Sequence, residues 1–180
     1  MRQASKAICL LALGMAAPAH ARVTSVSDAG FSIENSVEVA DDARSVYALI
    51  ATPARWWSSQ HSYSGDAANL TLEPRAGGCF CESLPGPGGS AGSVEHAHVV
   101  FAAPDRELRL SGALGPLQTE GATGTLDIII APAKDGVRVT MRYVVGGYVR
   151  TGMASIAPMV DKVLGEQLMQ LKHVAEEDKR

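Results

Sequence analysis

Two pairs of potential metal-binding or redox residues lie on either side of a glycine- and proline-rich segment. Cys79 and Cys81 are separated by one residue, and so are His96 and His98. The segment between them contains PGPGGSAG, which is typical of the loop of a β-hairpin. If two strands pair across this loop, the four side chains come close enough to form one metal or redox site.

The register of the predicted hairpin decides whether the four side chains meet. A loop centred on the glycine pair at 88–89 places Cys79 opposite His98. The same loop places Cys81 opposite His96. All four then lie on one face of the sheet, with opposed Cβ atoms about 4.5–5.5 Å apart. This arrangement allows a metal or redox site, but a slip of one residue would destroy it.

Simple packing of the two thiols is the favoured interpretation. Zinc sites usually space their cysteines as C-x2–4-C rather than C-x-C. A direct bond between Cys79 and Cys81 is disfavoured, because alternate residues of a strand lie about 6.5–7 Å apart. A strained or intermolecular disulfide and a metal site remain as alternatives.

The other face of the same hairpin carries apolar bulk and two carboxylates. The predicted register places Glu82 opposite Glu95, beside Phe80, Val99 and Phe101. We therefore expect this face to line a cavity. Two facing carboxylates repel, which raises the pKa of one of them and makes both candidates for acid–base work or polar recognition. The alternative is that both lie at the exposed end of the hairpin.

An aromatic cluster precedes the hairpin in the segment RWWSSQHSYSG. It contains Trp56, Trp57, His61 and Tyr63. Aromatic side chains with polar tips suit the mouth of an apolar cavity, where one end is dry and the other is wet. They are equally suited to plugging one end of the fold without binding anything.

The first residues have the layout of a secretory signal peptide. Arg2 and Lys6 precede an apolar run that is too short to span a membrane, and a small-x-small pattern ends at Ala21. We expect cleavage after Ala21, which divides the chain into a signal peptide at 1–21 and a single domain at 22–180. The protein is then periplasmic or secreted. A buried N-terminal helix is the alternative.

The composition indicates one soluble globular domain. Sixteen basic and nineteen acidic residues give a formal net charge of -3, and no basic run is dense enough to follow a phosphate backbone. We expect no nucleic-acid partner, no cofactor, no stable membrane insertion after processing, and a monomer or weak dimer.

The remaining pattern predicts the elements that position these residues. FSIENSVEVA alternates as a strand, Asp41 caps a helix in DDARSVYALI, and a second short helix begins at Thr52. Six strands follow between 69 and 145, and one long amphipathic helix, interrupted by Pro158, ends the chain. The prediction is an α+β fold with seven antiparallel strands curved around the C-terminal helix.

This order of elements resembles the helix-grip fold of the START-like superfamily, also called SRPBCC. VEVADDARSVYALIATPARWW is similar to the opening of its polyketide cyclase/dehydrase and activator-of-heat-shock-ATPase-like members. RAGGCFCE, FAAPDRELRLSG and GVRVTMRYVVGG resemble later strands of the family. The resemblance covers residues 31–172 and implies a deep cavity between sheet and helix for lipids, polyketides or other apolar molecules.

Three functions follow from these patterns. The first is an exported protein that binds an apolar or amphipathic small molecule, lipid-like or polyketide-like, through the aromatic cluster and the apolar hairpin face. The second is a cyclase, dehydratase or isomerase that uses Glu82 or Glu95, assisted by Tyr63 or His61. The third is a metal or redox protein built on the cysteine and histidine pairs. The sequence contains no dinucleotide fingerprint or nucleophile elbow, so the first interpretation is favoured over an enzyme.

Overall fold

The computed structural model describes residues 20–89 and 91–178. The strands in this part of the chain are β1 (His20–Ser27), β2 (Gly30–Val39), β3 (Leu70–Leu72), β4 (Cys79–Pro85), β5 (Ala91–Ala103), β6 (Glu107–Gly112), β7 (Gly121–Ala133) and β8 (Gly136–Tyr148). The α-helices are α1 (Ala43–Ile50) and α2 (Met153–Glu177). Short 3-10 turns lie at Pro53–Arg55, Ser59–His61, Ala67–Asn69, Pro87–Gly89 and Gly115–Thr119.

The strands form one antiparallel sheet in the order β1-β2-β8-β7-β6-β5-β4-β3. The predicted α+β, helix-grip architecture is confirmed, with eight strands rather than seven. The additional strand is β1, which pairs with β2 at the edge of the sheet. Its Thr24, Ser25 and Val26 are all exposed, so it lacks the apolar alternation by which the other strands are recognised.

The predicted signal peptide falls at the start of the described chain. Residues 1–19 lie outside the described residues, and β1 begins at His20. The expected cleavage after Ala21 therefore falls inside β1 and would remove its first two residues.

The core lies between one face of the sheet and α2. Alternation buries every second residue of β2 and β8, as expected for strands with one covered face. The helix contributes a stripe of buried residues at three- and four-residue spacing: Ile156, Val160, Leu164, Leu168 and Leu171. The helix packs mainly against β2 and β1. Among the described residues, no helix is long and apolar enough to cross a membrane.

The two short helical segments after β2 begin close to their predicted positions. The N-cap of α1 is Asp42, whose side chain accepts a hydrogen bond of 3.0 Å from the backbone N–H of Ser45. The predicted cap at Asp41 was one residue too early, and its carboxylate instead accepts from the N–H of Asp42. The second segment is a single 3-10 turn with Pro53 at its start, where a missing N–H costs nothing.

Candidate functional site

A β-bulge in the β4–β5 hairpin decides which residues meet. The pairing agrees with the predicted register at Cys79, which lies opposite His98, but Cys81 lies opposite Glu95. His96 is the additional residue of the bulge, and its side chain is buried among core residues. The predicted pairing of Cys81 with His96 was therefore wrong.

The bulge removes an unfavourable pair of charges from the interior. In the uninterrupted register Glu82 would face Glu95 on the interior side, and two buried carboxylates without a counter-charge are strongly disfavoured. The bulge places His96 beside Glu82 and turns Glu95 outward, where its side chain is 59% exposed. The prediction that Glu95 lies beside Glu82 on the interior, cavity-lining face was wrong for this reason.

The candidate metal ligands are separated by the same bulge. Cys79 and Cys81 form a disulfide with Cα atoms 5.4 Å apart, which is closer than in a regular strand and corrects the expectation of packed thiols. His98 is exposed and its Nδ1 lies 3.2 Å from Glu95 Oε1, whereas His96 is buried on the other face. No cluster of three or more metal-ligating side chains occurs within residues 20–89 and 91–178.

Glu82 and His96 form a buried hydrogen-bonded pair. His96 Nε2 lies 2.9 Å from Glu82 Oε2, and the exposed fractions of the two side chains are 7% and 0%. Glu82 also accepts hydrogen bonds from the backbone N–H groups of Tyr63 and Ser64. The Glu82 carboxylate therefore links β4 to His96 on β5 and to residues 63–64, which follow the 3-10 turn Ser59–His61.

The two pKa values indicate which partner is charged. Burial alone would raise the pKa of Glu82, but hydrogen bonds from Ser64, Tyr63 and His96 outweigh burial and lower the pKa below its usual value. Burial lowers the pKa of His96, and the neighbouring carboxylate only partly offsets this effect. At neutral pH the pair is an ionised Glu82 and a neutral His96. Because a carboxylate only accepts, the imidazole proton lies on Nε2 and Nδ1 is left as an acceptor.

A cavity of about 360 Å³ lies between α2 and the segments after α1, with His96 in its wall. We call it the Trp57 cavity. Its lining is mostly apolar: Trp57, Gln60, His61, Ser62, Tyr63, His96, Leu114, Gly115, Pro116, Met159, Val160, Val163 and Leu164. Larger depressions beside Asp161, Asp105 and Glu95 are more open to solvent and carry more charged groups.

Hydrogen bonds hold the wall of the Trp57 cavity in place. Trp57 Nε1 donates to the carbonyl oxygen of His61 at 3.0 Å, and the Tyr63 hydroxyl donates to the carbonyl oxygen of Gly115 at 2.9 Å. His61 Nε2 lies 3.2 Å from Glu166 Oε2 on α2. The aromatic segment is therefore tied both to the helix and to the turn that follows β6.

The aromatic residues predicted to bind a ligand occupy different layers. Trp57, His61 and Tyr63 line the cavity. Trp56 is buried behind it, with its ring 5.3 Å from that of Trp57. Phe80 supports the wall, because its ring lies 5.4 Å from Trp57 and 5.0 Å from His96.

The two remaining predicted residues lie away from the cavity lining. Val99 is fully buried in the core. Phe101 was expected on the interior face, but a second bulge in β5, after Val99, turns it outward. Its ring is exposed and packs beneath the Arg109 guanidinium, 5.6 Å from the ring centroid, so its assignment to the cavity was wrong.

The turn after β6 was missed as part of the site. Leu114, Gly115 and Pro116 line the cavity, and none of them is among the residues that the sequence predicted for the site. Pro116 at the start of a 3-10 helix is the signal that indicates an ordered element there. The Tyr143 hydroxyl fixes this turn by donating to Gly112 O and accepting from Leu114 N–H.

Comparison with solved structures shows the same fold in several proteins of low sequence identity. An uncharacterized Rhizobium leguminosarum protein matches with a TM-score of 0.62 and 15% identity, over 86% of this chain and 99% of that protein. An Arthrobacter aurescens protein matches with a TM-score of 0.53 and 20% identity, over 87% and 93%. No family model matches the chain. No curated protein matches it by sequence.

One structural relative carries a functional description. StfQ, a di-domain ARO/CYC protein from the steffimycin biosynthetic pathway, matches with a TM-score of 0.57 and 17% identity. The match covers 84% of this chain and 52% of StfQ, which is about half of that protein. These similarities establish the fold that the sequence resemblance implied.

Proposed function

We propose that this chain is an exported protein that binds an apolar or amphipathic small molecule in the Trp57 cavity. The observation that carries the proposal is the cavity itself, whose volume of about 360 Å³ falls within the usual range for small-molecule sites. Its walls are mostly apolar, and the polar groups of His61, Tyr63 and His96 lie among them. This combination is typical of sites that bury an apolar body and orient it by a few hydrogen bonds.

Two further observations support the proposal. The signal-peptide layout of residues 1–21 favours export, and the Cys79–Cys81 disulfide is of the kind that persists in oxidising compartments. The fold is shared with StfQ, so a lipid-like or polyketide-like ligand is consistent with the architecture.

Binding of an apolar fluorescent probe tests the proposal. Val163 lines the cavity, so Val163→Trp would fill part of it, whereas Val144 is 50% exposed on the outer sheet face and Val144→Trp serves as the matched control. We expect N-phenyl-1-naphthylamine to bind saturably to the wild type and to the control. In Val163→Trp we expect its affinity to fall about tenfold or more, corresponding to ~1.4 kcal/mol or more.

Fluorescence titration measures this affinity, and circular dichroism checks that both variants keep the fold. A probe that binds Val163→Trp as tightly as the wild type would contradict the proposal. So would a fluorescence increase that never saturates.

A further inference from the structure

Most polar groups in the wall of the Trp57 cavity are already used by the protein. Trp57 Nε1 donates to His61 O, and the Tyr63 hydroxyl donates to Gly115 O. His61 is held by Glu166, and the Ser62 hydroxyl donates to the carbonyl of Ser59. These bonds maintain the wall and leave little polar capacity for a ligand.

Like His61, His96 has one ring nitrogen without a hydrogen-bond partner among the described residues, but its side chain is only 7% exposed, against 29% for His61. Nε2 is held by Glu82, while Nδ1 has no hydrogen-bond partner among residues 20–89 and 91–178. The ring is also fixed in orientation, since it lies 5.0 Å from the Phe80 ring and 5.8 Å from the Tyr63 ring. An imidazole held in this way, with its proton on Nε2, has one hydrogen-bond acceptor, Nδ1, in a fixed position.

We infer that Nδ1 of His96, positioned by Glu82, faces the Trp57 cavity and selects ligands that carry a hydroxyl group on a flat apolar body. The inference rests on the binding function proposed above and names the ligand class. The flat body follows from the aromatic side chains of Trp57 and Tyr63, which favour stacked or edge-on rings in the same cavity. The hydroxyl follows from Nδ1, which accepts a hydrogen bond and cannot donate one.

An acceptor in an apolar wall discriminates between ligands mainly because leaving it without a hydrogen bond costs binding free energy. A ligand without a donor leaves Nδ1 without a hydrogen bond once it has excluded water, and this weakens its binding. The amide of Gln60, which also lines the cavity, both donates and accepts and so does not distinguish an alcohol from its ether. His61 Nδ1 belongs to a more exposed side chain, where water satisfies an acceptor, so selection for a hydroxyl depends mainly on His96.

A pair of probes that differ in one hydrogen-bond donor tests the inference. We would titrate the full folded protein with 2-naphthol and with 2-methoxynaphthalene by calorimetry at about pH 7.5. The expected result is that 2-naphthol binds the wild type about tenfold more tightly, the effect of one hydrogen bond worth ~1.4 kcal/mol. In His96→Phe, which keeps an aromatic ring and removes Nδ1, the two affinities should become equal.

A second measurement avoids dependence on the variant. His96→Phe removes one partner of Glu82, so circular dichroism must establish that it remains folded. In the wild type, the ¹⁵N resonance of His96 Nδ1 should move when 2-naphthol binds and stay in place when 2-methoxynaphthalene binds. This spectroscopic change reports acceptance at Nδ1 directly.

The outcomes separate this inference from the proposed function. Equal wild-type affinities with an unmoved Nδ1 resonance would overturn the role of His96 while leaving the binding cavity intact. A preference for 2-naphthol that survives in His96→Phe would also overturn it. If neither probe binds the wild type and N-phenyl-1-naphthylamine does not bind either, the proposed function fails as well.

Discussion

The buried pair of Glu82 and His96 carries a single negative charge at neutral pH. Three hydrogen bonds keep the carboxylate ionised, and burial keeps the imidazole neutral. The proton of the neutral imidazole lies on Nε2, beside the carboxylate, so Nδ1 of the same ring is an acceptor in a fixed position. Because the backbone N–H groups of Tyr63 and Ser64 are among the partners, the same carboxylate also orders one wall of the cavity.

The pKa values of this pair predict a loss of stability on acidification. Both pKa values are lower in the folded protein than their ordinary values of 6.5 for His96 and 4.5 for Glu82. Below those values the unfolded chain therefore binds more protons than the folded protein, so acid favours unfolding. The contribution of His96 to the free energy of unfolding is lost first, as the pH falls below 6.5. The contribution of Glu82 is lost below pH 4.5.

Urea denaturation of the wild type and of His96→Phe checks this prediction. Between about pH 7.5 and about pH 5, we expect the free energy of unfolding to fall more steeply in the wild type, because the variant lacks the titrating imidazole. Identical slopes over that interval would show that His96 has an ordinary pKa. The exposed histidines His98 and His173 are present in both proteins and cancel in the comparison.

At the scale of the elements, β5 is the strand that shapes the site. Its first bulge turns His96 inward, and its second turns Phe101 outward. Gly112 in β6 accommodates the first bulge, because a Cβ added there would lie 2.6 Å from the Cα of Ala97 and still closer to His96 O. A close backbone approach of this kind requires glycine.

Regular elements could be predicted from the sequence, and the irregular ones could not. The alternation in FSIENSVEVA and the apolar stripe of the last helix each indicate burial directly. The bulge at His96 forms because burying His96 beside Glu82 costs less free energy than burying Glu95 there. This difference depends on two strands meeting, so no local sequence pattern indicates it. The aromatic cluster was recognised by composition, but only the fold places Trp57 on the cavity and Trp56 behind it.

Gly124 in β7 provides a test of how the sheet supports the cavity. A Cβ added at Gly124 would lie 2.7 Å from Cζ of the Tyr143 ring, and Tyr143 holds the turn at Leu114 through its hydroxyl. We expect Gly124→Ala to displace the ring and to lower the free energy of unfolding by about 1–3 kcal/mol. Probe affinity for the Trp57 cavity should fall with it.

Gly121→Ala in the same strand is the matched control, because its added Cβ would meet only Tyr148, at an ordinary contact distance of 3.6 Å. Urea denaturation should give a change within about 0.5 kcal/mol for this variant. Equal stability of the two variants would indicate that Tyr143 has room to move without cost.

At the scale of the whole molecule, the predicted cleavage site lies within the edge strand β1. Ala21 pairs with Asn35, and the backbone of residues 22–27 continues the pairing with β2. Processing after Ala21 would therefore leave most of β1 in the mature protein.

We expect the protein recovered from outside the cytoplasm of a bacterial host to begin at Arg22, as measured by intact mass. Ala21→Phe should block processing, because a bulky residue at that position does not fit the small-x-small pattern. Ala16→Phe changes only the apolar run, so it should be processed normally. Recovery of a wild-type chain that still contains Met1 would contradict the proposed export.

The contact of α2 with β1 and β2 joins residues 153–177 to the first two strands that the structure describes. During synthesis, the sheet residues leave the ribosome well before the helix that covers them. Until residue 153 and those after it have emerged, the apolar side chains of β2 and β8 lack α2, the helix that covers them. The core between the sheet and α2 is therefore completed only once α2 has left the ribosome, so the sheet alone remains open to partners that bind exposed apolar surface.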